Sequence, residues 1–146
     1  MICLRKFEIS DNELIAARLN LSTEKANSLI NEWSAGFYNG SYFEMFAVQC
    51  EDAVVGTISL YKHSKTIVSI GPEIFEEFRR RGFAKAAMSE AIRIAKEREF
   101  EIVLQQVRTD NSASIRLHEA LGFEKDNNTY INRNGNEVYL YLKAIR

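Results

Sequence analysis

The sequence predicts an α+β fold, in which a mostly antiparallel sheet of about seven strands is flanked by about four helices. Strand-like and helix-like segments follow one another in the order β-α-α-β-β-β-α-β-α-β-β. Residues 84 to 95 repeat small and apolar residues at three- and four-residue spacing, which is typical of a packed helix. Asn134-Gly135 between two β-rich runs is a strong hairpin signal. We expect one domain covering residues 1–146.

Composition excludes several classes of function. The chain has 146 residues and a formal net charge of −1, which favours neither nucleic acid nor an anionic membrane as a partner. Cys3 and Cys50 are too few for a disulfide framework and indicate a reducing compartment. The first 20 residues carry six charged side chains and no apolar run, so we expect a cytoplasmic protein without a membrane anchor.

The amino-terminal third predicts one strand and two helices. Ile2 to Phe7 forms the strand, and a helix runs from Asp11 to about Leu19, with Ser10 as its cap. A second helix begins near Ser22 and carries an apolar stripe. It leads into an aromatic segment, which supplies candidates for lining a substrate site: Trp33, Phe37, Tyr38 and Tyr42. Core packing or a dimer contact is the alternative explanation for these side chains.

The remaining strands follow from β-rich runs and turn signals. Residues 43–50 and 54–61 form a hairpin, and residues 66–75, 101–107, 124–133 and 137–145 supply the other strands. Gly71-Pro72 interrupts the run over 66–75, and proline cannot donate a ladder hydrogen bond. We therefore expect this fourth strand to bulge or to splay away from a neighbour.

The fourth strand leads into the helix over residues 84 to 95 through a short cationic segment, Arg79 to Ala84. The first N–H groups of a helix lack partners and lie at the positive end of its dipole, where an anion binds. Gly82 and Ala84 leave the backbone accessible to a bulky pyrophosphate, and Arg79, Arg81 and Lys85 add charge-assisted donors. The alternative is an ordinary solvated face at the start of a helix.

Two motifs resemble those of the GNAT superfamily of N-acetyltransferases. Arg79 to Ala84 is similar to the superfamily's Arg/Gln-x-x-Gly-x-Gly/Ala pyrophosphate loop. Asn111 to Phe123 resembles its second signature, in which an asparagine opens a short helix that ends in Leu-Gly-Phe. The motifs occur in the expected order, separated by one helix and one strand. The resemblance implies the GNAT fold, with a splay between the fourth and fifth strands.

The resemblance also implies acetyl-CoA as the acetyl donor and no metal. The pantetheine arm would enter the splay, and the pyrophosphate would meet the loop. The residues implied in cofactor binding are Pro72, Glu73, Ile74, Arg79, Arg80, Arg81, Gly82, Phe83, Ala84, Lys85, Asn111, Ser114 and His118. Asn111 would hold the arm or cap its helix.

Acetyl transfer to an amine in a ternary complex needs an oxyanion donor, an acid for the thiolate and a base for the amine. A backbone N–H near Ile74 is the expected oxyanion donor. His118 occupies the position of the family's usual tyrosine acid. A branch of the family uses a glutamate as the base where this chain has Gln106, which cannot accept a proton. Glu73 is then the best candidate and Glu119 a weaker one.

The acceptor is left open by these similarities. Leu117 to Phe123 looks like the phosphinothricin-type branch, whereas Ile70 to Ile74 is similar to ribosomal-protein or polyamine acetyltransferases. We expect a primary amine of a small molecule or of a peptide N-terminus, and a homodimer is common in the family. The alternatives are a CoA-binding regulatory module without turnover and, against the net charge, a nucleic-acid-binding protein.

Overall fold

The computed structural model describes residues 1–38 and 41–146. It contains the strands β1 (Ile2–Lys6), β2 (Phe37–Tyr38), β3 (Ser41–Cys50), β4 (Ala53–Lys62), β5 (Ile67–Ile74), β6 (Ile102–Arg108), β7 (Glu124–Ile131) and β8 (Glu137–Ala144). The helices are α1 (Asn12–Leu19), α2 (Thr23–Ala35), α3 (Phe83–Glu97) and α4 (Ser112–Ala120), with short 3-10 turns at Ile9–Asp11 and Glu76–Phe78.

Seven strands form one sheet in the order β1-β3-β4-β5-β6-β8-β7, and β2 pairs only with β3. All pairs are antiparallel except β5 with β6. The predicted α+β class is therefore confirmed. The two-residue strand β2 was not predicted, because two residues are too few to show an alternating pattern.

Helices cover both faces of the sheet. The predicted stripe of α3 is buried except for the half-buried Ala84, and it packs with Ile58, Leu60 and Val68 in the main core. The helices α1 and α2 pack in a second cluster that includes Ala47 of β3, whereas the neighbouring Val48 belongs to the main core. Successive strand residues point to opposite faces, so the two clusters lie on opposite sides of the sheet.

The predicted cap of α1 at Ser10 is wrong. A 3-10 turn occupies Ile9–Asp11, and α1 begins one residue later at Asn12. The cause is Asp11, whose carboxylate accepts from the Glu8 N–H at 2.8 Å and from the Arg5 guanidinium at 2.9 Å. These bonds fix the turn ahead of the helix.

The sheet opens between β5 and β6, which confirms the predicted splay. β5 pairs with β4 from Lys62↔Val68 to Gly56↔Ile74. It pairs with β6 only at Ile67↔Ile102 and Val68↔Val103, and beyond these residues the two strands separate. Within the described ranges, no helix is long and apolar enough to cross a membrane.

The position of Pro72 explains how β5 contains a proline and still pairs with β4. The Ile70 N–H and C=O both bond to the Gln105 side chain, on the β6 side of the strand. Backbone groups alternate in direction along an antiparallel strand, so Pro72 also faces the gap. The missing N–H therefore costs the β4–β5 ladder nothing.

Candidate active site

The start of α3 is an uncapped anion site. Gly82 is the N-cap residue, with a φ of 82°, and it has no side chain to accept a hydrogen bond. The first bond of the helix is Ala86 N–H to Gly82 O at 3.1 Å, which leaves the N–H groups of Phe83, Ala84 and Lys85 without helical acceptors. These donors lie at the positive end of the helix dipole, where a phosphate binds well.

The space beside Gly82 is open. A Cβ atom built on this residue meets no atom within 4 Å, so any side chain there would project into free volume at the helix end. The positive φ also disfavours every residue except glycine. Arg80, two residues earlier, has a φ of 66° and turns the chain into the helix.

Two clefts adjoin the splay in the described part of the chain, and the larger cleft, of about 920 Å³, extends from this helix end to the mouth of the splay. All the residues implied in cofactor binding line it except Arg81 and His118. Phe78, Ala113, Arg116 and Leu117 line it as well. The larger cleft thus joins both sequence motifs with the end of β5, as the resemblance implied.

The cations around the larger cleft differ from those expected. Arg79 donates through Nε to Ile74 O at 2.8 Å and so ties the loop to β5. The Arg81 guanidinium lies over the Phe78 ring, 5.8 Å from its centroid. Arg116 on α4 supplies a cation that sequence reasoning missed. Its position between Ser114 and Leu117 in the second motif was the available signal.

The β5 backbone offers a short row of groups to the gap. The backbone N–H and C=O groups of every second strand residue face the same side, and those of Ile70 face β6. The Pro72 C=O and the Ile74 N–H therefore also face away from β4. The Ile70 N–H is occupied by Gln105, and proline has no N–H. Ile74 is therefore the one residue from 70 to 74 whose N–H both faces the gap and is free of Gln105. Glu73 is exposed and lines the larger cleft, and its backbone N–H and C=O face β4.

Asn111 caps α4, which is one of the two roles expected for it. It is the N-cap residue, and its Oδ1 accepts from the Ser114 N–H at 3.1 Å. The cap fixes the helix end that lines the larger cleft.

A buried polar network closes the narrow end of the splay. Gln105 is 5% exposed; its Oε1 accepts from Ile70 N–H at 2.8 Å, and its Nε2 donates to Ile70 O at 2.6 Å. Its Nε2 also lies 3.3 Å from His118 Nε2. The Gln105 amide thus replaces a strand pairing that β6 no longer makes. Sequence reasoning missed Gln105, because only strand register shows which glutamine of β6 faces the gap.

The hydrogen bonds of His118 define its tautomer. His118 is 3% exposed, and its Nδ1 lies 2.7 Å from Ser114 O, an acceptor only. The ring proton is therefore on Nδ1, and Nε2 accepts from Gln105. Burial lowers the pKa of His118, which favours this neutral form. Nε2 then has no proton for a thiolate, so the geometry favours a structural role; the assignment as an acid stays a prediction.

A smaller cleft, of about 390 Å³, lies beside the narrow end of the splay. Gly71 lines it, and the next residue, Pro72, lines the larger cleft, so β5 forms part of both clefts. Sequence reasoning did not predict this site. Its remaining lining comes from β4, β5, β6 and the turn after β4: Ser59, Tyr61, His63, Ser69, Ile70, Leu104, Gln105 and Gln106.

The aromatic residues predicted to bind substrate are not all brought together. Trp33 packs against Phe7, 5.1 Å between ring centroids, in the second cluster. Tyr42 packs 5.9 Å from Phe100 against the main core, and its buried hydroxyl has no hydrogen-bond partner among the described residues. For these two residues the contacts are those of core packing. The side chains of Phe37 and Tyr38 lie outside the described part, and their assignment stays a prediction.

No group of three or more His, Cys, Asp or Glu side chains within residues 1–38 and 41–146 is arranged to hold a metal ion. The functional groups of the two clefts are backbone N–H and C=O groups, cations, the Glu73 carboxylate, hydroxyls, amides and an imidazole.

Comparison with known families identifies the splayed sheet and the uncapped helix end as those of an acetyltransferase. The chain belongs to the acetyltransferase (GNAT) family, whose model matches residues 11–123. It is 29% identical over 126 residues to the SPbeta prophage-derived uncharacterized N-acetyltransferase YokL of Bacillus subtilis, covering 82% of this chain and 70% of that protein.

Two solved structures show the same fold at low sequence identity. RimJ from Mycobacterium smegmatis, in complex with CoA-disulfide, has a TM-score of 0.83 and 13% identity, covering 98% of this chain and 81% of that one. The yncA protein from Salmonella typhimurium, with its cofactor acetyl-CoA, has a TM-score of 0.75 and 15% identity, covering 100% and 95%.

Proposed function

We propose that the protein transfers the acetyl group of acetyl-CoA to a primary amine of a small molecule or of a peptide N-terminus. The observation that carries the proposal is the larger cleft, which connects unpaired helix N–H groups to the backbone at the sheet opening. Acetyl-CoA bound to the yncA structure of the same fold supports this choice of donor. Acetyl-CoA supplies the activated acetyl thioester.

Each part of the larger cleft has a separate task in this proposal. The N–H groups of Phe83, Ala84 and Lys85 bind the pyrophosphate, and the bare Gly82 allows its approach. The Pro72 C=O and the Ile74 N–H pair with the amide-containing arm, as a missing strand would. Ile74 remains the proposed oxyanion donor. Its N–H would then pair with the arm first and stabilise the oxyanion later, or another group would perform one of these two tasks.

The alternative of a regulatory CoA-binding module without turnover is not favoured, because the chain belongs to an enzyme family. Glu73, exposed at the larger cleft, stays a candidate base. A cytoplasmic location, a homodimer and a single domain over residues 1–146 also stay predictions.

The proposal is tested by titrating the protein with acetyl-CoA in a calorimeter, with ATP and free pyrophosphate as controls. We expect saturable binding near one per chain that prefers acetyl-CoA. Thiol release is then followed with a panel of amines. Equal binding of ATP, or no thiol release with any amine, would contradict the proposal.

Replacing Arg116 with alanine is expected to weaken acetyl-CoA binding about fivefold, roughly 1 kcal/mol, because an exposed cation beside a phosphate gives a modest, screened gain. Isothermal titration at two salt concentrations measures the effect, which should shrink at high salt. Arg133→Ala, in the β7–β8 turn, removes the same charge at a residue that does not line the larger cleft and serves as the control. Equal losses for both variants would show that Arg116 acts only through net charge.

A further inference from the structure

Gly56 of β4 lies against the peptide group that carries the proposed oxyanion donor. It is buried, and the sheet register pairs it with Ile74 of β5. A Cβ atom built on Gly56 would lie 2.9 Å from Ile74 Cα and 3.1 Å from the Glu73 carbonyl carbon, and closer still to Glu73 O. These are backbone atoms, so no rotation of a side chain would relieve the contact. The two strands can approach this closely only with a glycine at position 56.

The contact matters because Glu73 O and the Ile74 N–H belong to one peptide group. The peptide is trans, so it is planar and its C=O and N–H point in opposite directions. Glu73 O faces β4, where Gly56 lies, and the Ile74 N–H faces the gap between β5 and β6. A rotation of this rigid unit that moves the oxygen also turns the N–H. The space left by the missing side chain of Gly56 therefore sets the direction of the donor.

The residues on either side of this peptide are held as well. The register between β3 and β4 shifts just before Gly56, which makes Val55 an additional residue of β4. Such bulges increase the local twist and are common next to active sites. Val55 O accepts from the Phe75 N–H at 2.9 Å, and Ile74 O accepts from Arg79 Nε at 2.8 Å. These bonds fix the end of β5 and leave the Ile74 N–H directed into the gap.

β5 is the strand that would move if position 56 carried a side chain. β4 lies between two antiparallel neighbours, β3 and β5, along most of its length. β5 pairs with β6 only at Ile67 and Val68, so its far end has open space on the β6 side. A Cβ atom at position 56 would therefore displace the peptide between Glu73 and Ile74 towards the gap and turn its N–H.

We propose that Gly56 is a positioning residue for acetyl transfer, because its missing side chain directs the Ile74 N–H towards the acetyl oxygen. This inference rests on the proposed function and on Ile74 as the oxyanion donor. Negative charge develops on that oxygen in the transition state, and a donor aligned beforehand stabilises it without reorganisation. Gly56 lines neither cleft, so it acts through the Ile74 N–H.

Gly71 of β5 provides a matched comparison. It is the other strand glycine in the described ranges, and neither glycine has a positive φ. A Cβ atom on Gly71 would meet only Ser59 Oγ, at 2.9 Å, and this hydroxyl can rotate away. Gly71→Ala therefore adds the same methyl group to the neighbouring strand without pressing on backbone atoms.

The test measures kcat and the KM for acetyl-CoA in the native protein, Gly56→Ala and Gly71→Ala. We expect kcat to fall about a hundredfold in Gly56→Ala, as for a lost or misplaced oxyanion donor. The KM should change less than about threefold, because the N–H groups of α3 are not displaced. Gly71→Ala should lose less than about threefold in kcat. Thermal unfolding gives the folded fraction, and a purely structural role of Gly56 would lower stability without changing kcat per folded molecule.

A second measurement does not depend on the folding of a variant. Isotopically labelled native protein is studied by NMR in complex with acetyl-CoA and, separately, with CoA, which lacks the acetyl oxygen. The Ile74 amide resonance should differ between the two complexes by more than that of Phe75, whose N–H is bonded to Val55 O. The same Ile74 resonance in both complexes would overturn the inference, even if Gly56→Ala does not fold.

The outcomes separate this inference from the proposed function. Native kcat in a folded Gly56→Ala protein, or an equal loss in Gly71→Ala, would overturn the inference and leave the proposed function standing. No thiol release from the native protein with any amine would overturn both.

Discussion

Replacing Gly82 with valine is expected to weaken acetyl-CoA binding at least tenfold, roughly 1.4 kcal/mol. The branched side chain would project into the open space at the start of α3, where the helix N–H groups need direct access to phosphate. Titration calorimetry measures the affinity, and thermal unfolding confirms that the variant is folded.

Gly135→Val is a matched control for this experiment. Gly135 has a φ of 81°, against 82° for Gly82, and a Cβ atom there also meets nothing within 4 Å. Both variants therefore carry the same kind of backbone strain, of order 1–2 kcal/mol. Gly135 lies in the turn between β7 and β8 and does not line the larger cleft. Unchanged affinity in a folded Gly82→Val protein would show that the phosphates bind elsewhere.

Replacing His118 with alanine is expected to lower the free energy of unfolding by about 2–4 kcal/mol. The imidazole is buried against the rings of Phe123 and Tyr141, at 5.0 and 5.5 Å between centroids. Its loss leaves a cavity and removes the acceptor that Gln105 meets at Nε2. Denaturant unfolding at pH 7 measures the change.

The pH dependence of the free energy of unfolding distinguishes this structural role of the neutral imidazole from simple loss of packing. The folded pKa of His118 is lowered by burial, so its contribution is complete above the unfolded pKa of about 6.5 and declines as the pH falls. Stability of the native protein should therefore fall below that pH, and His118→Ala should show a smaller fall. The decline does not vanish, because His63 has a lowered pKa as well.

The kinetics of His118→Ala distinguish a role as the general acid from a structural role. If His118 protonates the thiolate, turnover should drop more than acetyl-CoA affinity while stability stays near native. If it holds Gln105, the loss of stability should be the main effect. Near-native stability together with a slow chemical step would therefore contradict the structural role.

Sequence reasoning was most successful where neighbours along the chain carry the information. The loop from Arg79 to Ala84 and the asparagine cap at Asn111 were both found, because a helix start depends on its own first turn. The splay was expected from Gly71-Pro72 and from the family resemblance. The cap predicted at Ser10 failed for the opposite reason: the contact that fixes the turn, from Arg5 to Asp11, joins two elements and is not part of the first turn of the helix.

What the sequence by itself determined is the fold class, the order of elements and the cationic helix start, since helical period, strand alternation and turn chemistry are local properties. Only the tertiary structure decided which side chains fill the splay. Gln105 meets Ile70 across 35 residues, and His63 meets Ser69 because a tight turn joins β4 to β5. Strand register sets these contacts, and a shift of one residue would turn each side chain to the opposite face.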